Sequence, residues 1–120
     1  MKNSTVRFAV SLAIHEGKLE AFKSVAHELI AGTRTEVGSL GYDWYLSSDQ
    51  KHCRVLETYA DENAVLSHLK GPVVQTLVPK LLEVASMNAF EVYGNPGAEA
   101  SKMLVSWGAA TFAFWDGIKK

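Results

Sequence analysis

The chain changes its hydrophobic period several times, and each change marks the border of an element. Over residues 5–14 apolar side chains alternate: Val6, Phe8, Val10, Leu12 and Ile14 share one face, with Arg7, Ala9, Ser11 and Ala13 on the other. A period of two is that of a strand with one apolar side. His15-Glu16-Gly17 makes a turn, and from Lys18 the spacing becomes helical. Leu19, Phe22, Ala26, Leu29, Ile30 and Val37 form the apolar stripe, while Lys23, His27, Glu28 and Arg34 face away. Gly38 then reads as the glycine that closes the helix. Alternation returns over residues 40–48, with Leu40, Tyr42, Trp44 and Leu46 on one face. Asp49-Gln50-Lys51 is a short loop and residues 52–60 a further strand, so the two form a hairpin.

Asp61 suits an N-cap and Glu62 the first turn of a helix running to about Lys70. Gly71-Pro72 interrupts it, because proline restricts the residue before it and has no donor. Val73, Val74, Leu77, Val78, Leu81 and Leu82 carry a second helical stretch, in which Pro79 predicts a kink or a second start. Residues 86–93 are strand-like, and Gly94-Asn95-Pro96-Gly97 is a turn. A short helix over 98–107 and a strand-like piece over 110–115 follow.

The order β-α-β-β-α-β is the ferredoxin-like split-βαβ pattern. It predicts an α+β fold: a four-stranded antiparallel sheet with helices on one face and a C-terminal helix-strand extension. No repeat or linker divides the chain, so residues 1–120 read as one domain, with its core at about 5–95 and the extension at about 96–120. Several strands carry apolar side chains on both faces, as in Trp44 opposite Tyr45. An uncovered apolar sheet face is costly in water, and a second copy packed face to face on a two-fold axis is the economical cover. The segment 110–115 is placed to add to the partner's sheet edge.

Composition narrows the functional classes. With a formal net charge of −1 and its 12 Lys and Arg scattered, the chain lacks the basic stripe that nucleic acid or an anionic membrane surface requires. Met1-Lys2-Asn3-Ser4-Thr5 leads into alternation rather than an apolar run, so no signal peptide is expected, and no stretch is long enough to span a bilayer. The single cysteine, Cys53, cannot form an internal disulfide and fits a reducing compartment, so the expected location is cytoplasmic. There is no Walker loop, GxGxxG or GxSxG, and no HxxxH or CxxC to hold zinc.

Several local segments, in this order, resemble the antibiotic biosynthesis monooxygenase family. They are Gly17-Lys18 opening helix one, Gly38-Ser39-Leu40-Gly41-Tyr42 entering strand two, and Glu57-Thr58-Tyr59-Ala60-Asp61 followed by Ala64 and His68. The tail, with Trp107-Gly108-Ala109-Ala110-Thr111-Phe112 and Asp116-Gly117, resembles C-terminal extensions of some members. The resemblance implies a dimeric α/β barrel with a mostly apolar pocket in each protomer. It also implies oxidation of quinols or polyketide aromatics by molecular oxygen without flavin, metal or haem. Other members of the superfamily degrade haem or isomerise small phosphorylated ketones, and fold alone does not choose among these. The haem-degrading relatives carry a Trp on helix two, which residues 61–70 lack, and Gly71-Pro72-Val73 lacks a further histidine that many members have there.

On this resemblance, His68 and Glu57 are the candidate catalytic residues. A cofactor-free oxygenase must deprotonate an electron-rich phenol or quinol, and a histidine titrating near neutrality suits that task. The competing reading of His68 is a helix-flank histidine bonded to a strand carbonyl. Glu57 shares a strand face with Cys53, Val55 and Tyr59 and could orient His68 or have a raised pKa. A structural pairing with Arg7 or Arg54 is the slightly favoured alternative. Tyr59, Tyr42, Trp44 and Tyr45 are candidates to hold an aromatic substrate, although as a group they suit core and dimer interface better. His15, His27 and His52 have weaker claims. The leading expectation is therefore a cofactor-independent monooxygenase of a small aromatic or quinol, acting as a homodimer. The alternatives are a non-catalytic binding module, or an isomerase using Arg7, Arg34, Arg54 or Lys102 to hold an anion.

Overall fold

A computed structural model of the chain describes residues 4–118 and 120; Met1, Lys2 and Asn3, from which the absence of a signal peptide was read, lie outside the described residues. The elements run β1 (Val6–Ile14), α1 (Leu19–Arg34), β2 (Ser39–Leu46), β3 (His52–Tyr59), α2 (Glu62–Lys70), α3 (Pro72–Val84), β4 (Ala85–Tyr93), α4 (Ala98–Ser106) and β5 (Ala110–Phe112). This is the ferredoxin-like α+β fold, with β5 making the sheet five-stranded rather than four-stranded, in the order β2-β3-β1-β4-β5.

β1 lies mid-sheet, antiparallel to both β3 and β4. Its alternation buries Val6, Phe8, Val10 and Leu12 under the helices. Those side chains run through both core clusters: Val6 and Phe8 pack with Tyr59, Val65, Leu69 and Leu104, and Val10 and Leu12 with Phe22, Leu29, Val55 and Leu81. Asp61 caps α2 by accepting the Ala64 N–H at 2.9 Å. Gly71 is extended and Pro72 occupies the first turn of α3, where a missing donor costs nothing. α3 runs on through Pro79 without a second start.

Three sequence expectations are corrected. α1 ends at Arg34, not at Gly38, and Val37 is 98% exposed on a turn rather than part of the stripe. Gly38 is needed for a different reason: a side chain there would run into Ala64 of α2. The turn after α1 therefore lies directly against the helix that follows β3. In β2, the register shifts between Ser39 and Gly41, and Leu40 is left exposed. The segment placed on a partner's edge instead pairs, over Ala110–Phe112, in parallel with β4 of its own chain.

The sheet face away from the helices keeps apolar side chains exposed. Tyr45, Leu56, Tyr93 and Phe112 lie there, the last two stacked at 5.3 Å between ring centroids. No helix among the described residues is long and apolar enough to cross a membrane.

Candidate active site

Three separate stretches of chain deliver acid–base side chains to one buried point. His68 sits in the last turn of α2, next to Leu69 on the buried side, and is only 3% exposed. Glu57 is carried inward by the strict alternation of β3, between Val55 and Tyr59. Glu36 comes from the turn after α1, the one pressed on α2 through Gly38.

The contacts are specific. His68 Nδ1 lies 2.6 Å from Glu36 Oε1, and Ser39 Oγ donates to the same oxygen at 2.9 Å. His68 Nε2 stands 3.8 Å from Glu57 Oε1. That distance is beyond a hydrogen bond but within ion-pair range once the imidazole takes a proton. Tyr59 Oη donates to Glu57 Oε1. The rings of Tyr59 and Tyr42 pack on the imidazole, with centroids 5.1 and 5.7 Å away.

Burial decides the charges. It pushes the Glu57 carboxyl up to about 7, with the Tyr59 hydroxyl opposing the rise and the Glu36 charge adding to it. Burial lowers the pKa of His68 below the ordinary histidine value, with the hydrogen bond and charge of Glu36 pulling the other way. Tyr42 and Tyr59 are held un-ionised, first by burial and then by the nearby Glu57 charge. Near neutral pH the point thus holds a neutral imidazole beside a carboxyl able to exist in either form.

This polar point is one end of a cavity of about 260 Å³. His68, Glu57 and Tyr42 line that end; Val10, Leu29 and Trp44 are among the apolar walls; Leu82, Met87 and Trp107, all partly exposed, also line it. Of the residues expected at the site, His68, Glu57, Tyr42 and Trp44 are brought together around the cavity. Tyr59 lies behind Glu57 and does not line it. Tyr45 is corrected: it faces out on the other side of the sheet, 54% exposed, because it is one residue out of phase with Trp44.

Glu57 pairs with neither Arg7 nor Arg54, both of which are exposed; the Arg54 guanidinium bonds the Cys53 carbonyl instead. None of Arg7, Arg34, Arg54 and Lys102 lines the cavity. His27 and His52 are exposed, and His15 bonds Ser86 and the Glu83 carbonyl. Among the described residues no group of three or more His, Cys, Asp and Glu is placed to hold a metal ion.

Sequence reasoning missed Glu36, Gln75 and Trp107. Glu36 sits in a turn, whereas the helical stripe drawn on to Val37 places it inside a helix. Gln75 lies on the cavity side of α3 and donates to the Leu69 carbonyl at 2.9 Å. Trp107 belongs to the tail that resembles C-terminal extensions of the family, yet nothing in the chain order places it against the cavity.

Comparison with known proteins agrees with this architecture. MupZ from Pseudomonas fluorescens is similar in structure, with a TM-score of 0.79 and 28% identity over 98% of this chain and 96% of that one. A conserved protein of unknown function from Bacteroides thetaiotaomicron gives a TM-score of 0.69 and 27% identity, covering 76% of this chain and 97% of that one. The Rv0793 protein of Mycobacterium tuberculosis shares the fold, with a TM-score of 0.69 at 22% identity over 79% of this chain and 98% of that one. No curated protein matches in sequence. The sequence profile of antibiotic biosynthesis monooxygenases matches residues 5–80, which carry β1 to most of α3 and with them Glu36, Glu57 and His68. The chain belongs to the antibiotic biosynthesis monooxygenase family.

Proposed function

We propose that the protein is a cofactor-independent monooxygenase of a small aromatic or quinol compound, with His68 as the general base. The observation that carries this reading is the position of His68: a buried, neutral imidazole beside Glu57 at the polar end of an apolar cavity. A substrate hydroxyl or activated CH₂ seated against Tyr42 and Trp44 would give its proton to His68 Nε2. The resulting anion is electron-rich enough to pass an electron to oxygen, and the radical pair then joins through a new C–O bond. The peroxide anion takes the proton back from His68, and loss of water from the resulting hydroperoxide turns the CH₂ into a carbonyl: one oxygen atom enters the product and the other leaves as water. The balance needs no external reductant. The apolar walls serve this chemistry by excluding bulk water from the anion.

A second reading is proton transfer without oxygen, such as isomerisation of a carbonyl compound. It is favoured by the Glu57 carboxyl, whose pKa of about 7 allows it to act as an acid beside a base. Among the described residues no arginine or lysine lines the cavity, which weighs against a phosphorylated substrate. We further propose that a second copy covers the outer sheet face around Tyr45, Leu56, Tyr93 and Phe112, as a cytoplasmic homodimer.

The test is oxygen uptake by metal-free protein against quinols and hydroxylated polycyclic aromatics, with His68→Ala run beside it. Uptake that falls in the variant supports both oxygenase and base. Uptake unchanged in His68→Ala removes the base assignment. Turnover of a carbonyl substrate without oxygen consumption transfers the site to the second reading.

A further inference from the structure

We propose that Glu36 is the positioning residue of the site: its carboxylate holds the Nδ1–H of His68 and so keeps the Nε2 lone pair on the Glu57 side of the ring. The inference rests on the reading of His68 as the base and extends it to a residue outside β3 and α2.

The geometry supports it at each step. A carboxylate only accepts hydrogen bonds, so the 2.6 Å contact puts the imidazole proton on Nδ1. Nε2 is then the basic nitrogen. It stands 3.8 Å from Glu57 Oε1, a separation that leaves its lone pair free of a direct hydrogen bond to that carboxyl. Once Nε2 takes a proton, the ring becomes a cation held against the Glu36 charge. Glu36 therefore stabilises the protonated imidazole more than the neutral one, which is how an orienting carboxylate assists a histidine base.

The carboxylate is itself held in place. Ser39 Oγ donates to it at 2.9 Å, and the Glu36 backbone N–H bonds the Thr33 carbonyl at 2.9 Å. The turn is tied to the other two elements of the site. The Ala60 N–H, just past the end of β3, donates to the Gly38 carbonyl at 3.0 Å, and Gly38 lies against Ala64 of α2. A turn fastened to the elements that carry Glu57 and His68 fixes the spacing of all three groups. The groups facing His68 are Glu36 from this turn, Glu57 and Tyr59 from β3, and Tyr42 from β2. Among the described residues, His68 is the only basic side chain within ion-pair distance of either carboxylate.

The experiment is ¹⁵N NMR of the imidazole nitrogens of His68 across pH, in wild type, Glu36→Gln, Glu36→Asp and Ser39→Ala. It needs no substrate, so it reports on Glu36 even if the oxygenase reading fails. Wild type is expected to show the neutral ring protonated at Nδ1. Glu36→Gln, isosteric but uncharged, is expected to lower the His68 pKa and to mix or invert the tautomers. Glu36→Asp should recover the higher pKa, and Ser39→Ala should change it little. Where turnover is found, Glu36→Gln should lose about 10- to 100-fold in kcat with little change in KM. The acid limb of its pH–rate profile should move to lower pH, a shift that a purely structural ion pair would not produce. An Nε2–H tautomer in wild type, or a His68 pKa and pH–rate profile unchanged in Glu36→Gln, overturns the proposal. If Glu36→Gln does not fold, the wild-type and Glu36→Asp spectra decide: a neutral ring protonated at Nε2 in either one overturns it.

Discussion

At its polar end the cavity meets a cluster of Glu36, His68, Glu57 and Tyr59 in direct or near contact, of which His68, Glu57 and Tyr59 are buried and Glu36 is partly so. Its lining also includes Leu82, Met87 and Trp107, which are 45, 37 and 39% exposed. The first region spends stability on function: desolvated carboxyls and a desolvated imidazole are each unfavourable, and only their mutual hydrogen bonds offset this. The second costs almost nothing to the fold and presents apolar surface to whatever enters. Substitutions in the first region should therefore change rate and pH dependence, whereas those in the second should change affinity alone.

The sharpest break of that division is His68→Ala. Loss of a general base is worth on the order of 10²- to 10⁴-fold in rate, and substrate binding should change far less. Measuring kcat and KM separately checks this. A variant that loses affinity and keeps its rate would move His68 from the chemistry to the cavity wall.

Glu57→Gln tests the cost side. The folded-state pKa of about 7 lies above the unfolded value of 4.5, so the folded chain keeps a proton that the unfolded chain has released. Stability from this group is full below about pH 4.5 and is lost as pH rises towards 7. The whole change is on the order of 3 kcal/mol, by the usual conversion of a pKa difference to free energy. Urea unfolding of the wild type from pH 4.5 to 8 should show this decline, and Glu57→Gln should flatten it. An unchanged slope would mean that Glu57 is ionised at little cost, and its role as an acid would fall.

Tyr59→Phe separates position from burial. Removing the hydroxyl leaves Glu57 without its donor, at a cost of about 1–3 kcal/mol in stability. Because that bond opposes the rise in the Glu57 pKa, its loss should raise the value further. Any alkaline limb of activity that reports a protonated Glu57 should then shift to higher pH, as a pH–rate profile would show. A shift to lower pH would show that Tyr59 had been stabilising the acid form instead.

Much of the polar end was legible because period-two and helical patterns aim side chains predictably. Alternation along β3 put Glu57 and Tyr59 on the buried face, and the place of His68 beside Leu69 put it towards the sheet. The same rule should have removed Tyr45, since Tyr42 and Trp44 already claimed the inner face of β2. Glu36 was not legible, because a turn has no period. Its direction is set by tertiary contacts, Gly38 against Ala64 and Ser39 on the carboxylate, that only folding creates. β5 was readable as a strand but not as a parallel neighbour of its own β4, since edge pairing depends on where α4 delivers the chain.

The smallest expected effect belongs to the exposed part of the lining. Trp107 follows α4 and contributes apolar surface over the cavity without any hydrogen bond to the buried cluster. Trp107→Ala should therefore raise KM by a few-fold, the scale of partial loss of one half-exposed aromatic contact, and leave kcat and the pH–rate profile unchanged. Stability should fall little, because the side chain is already partly in water. Steady-state kinetics over a range of pH, with a thermal melt alongside, would check both. A drop in kcat would mean that Trp107 orders the substrate against His68, and the division between a polar end that reacts and an apolar lining that only binds would then fail at this residue.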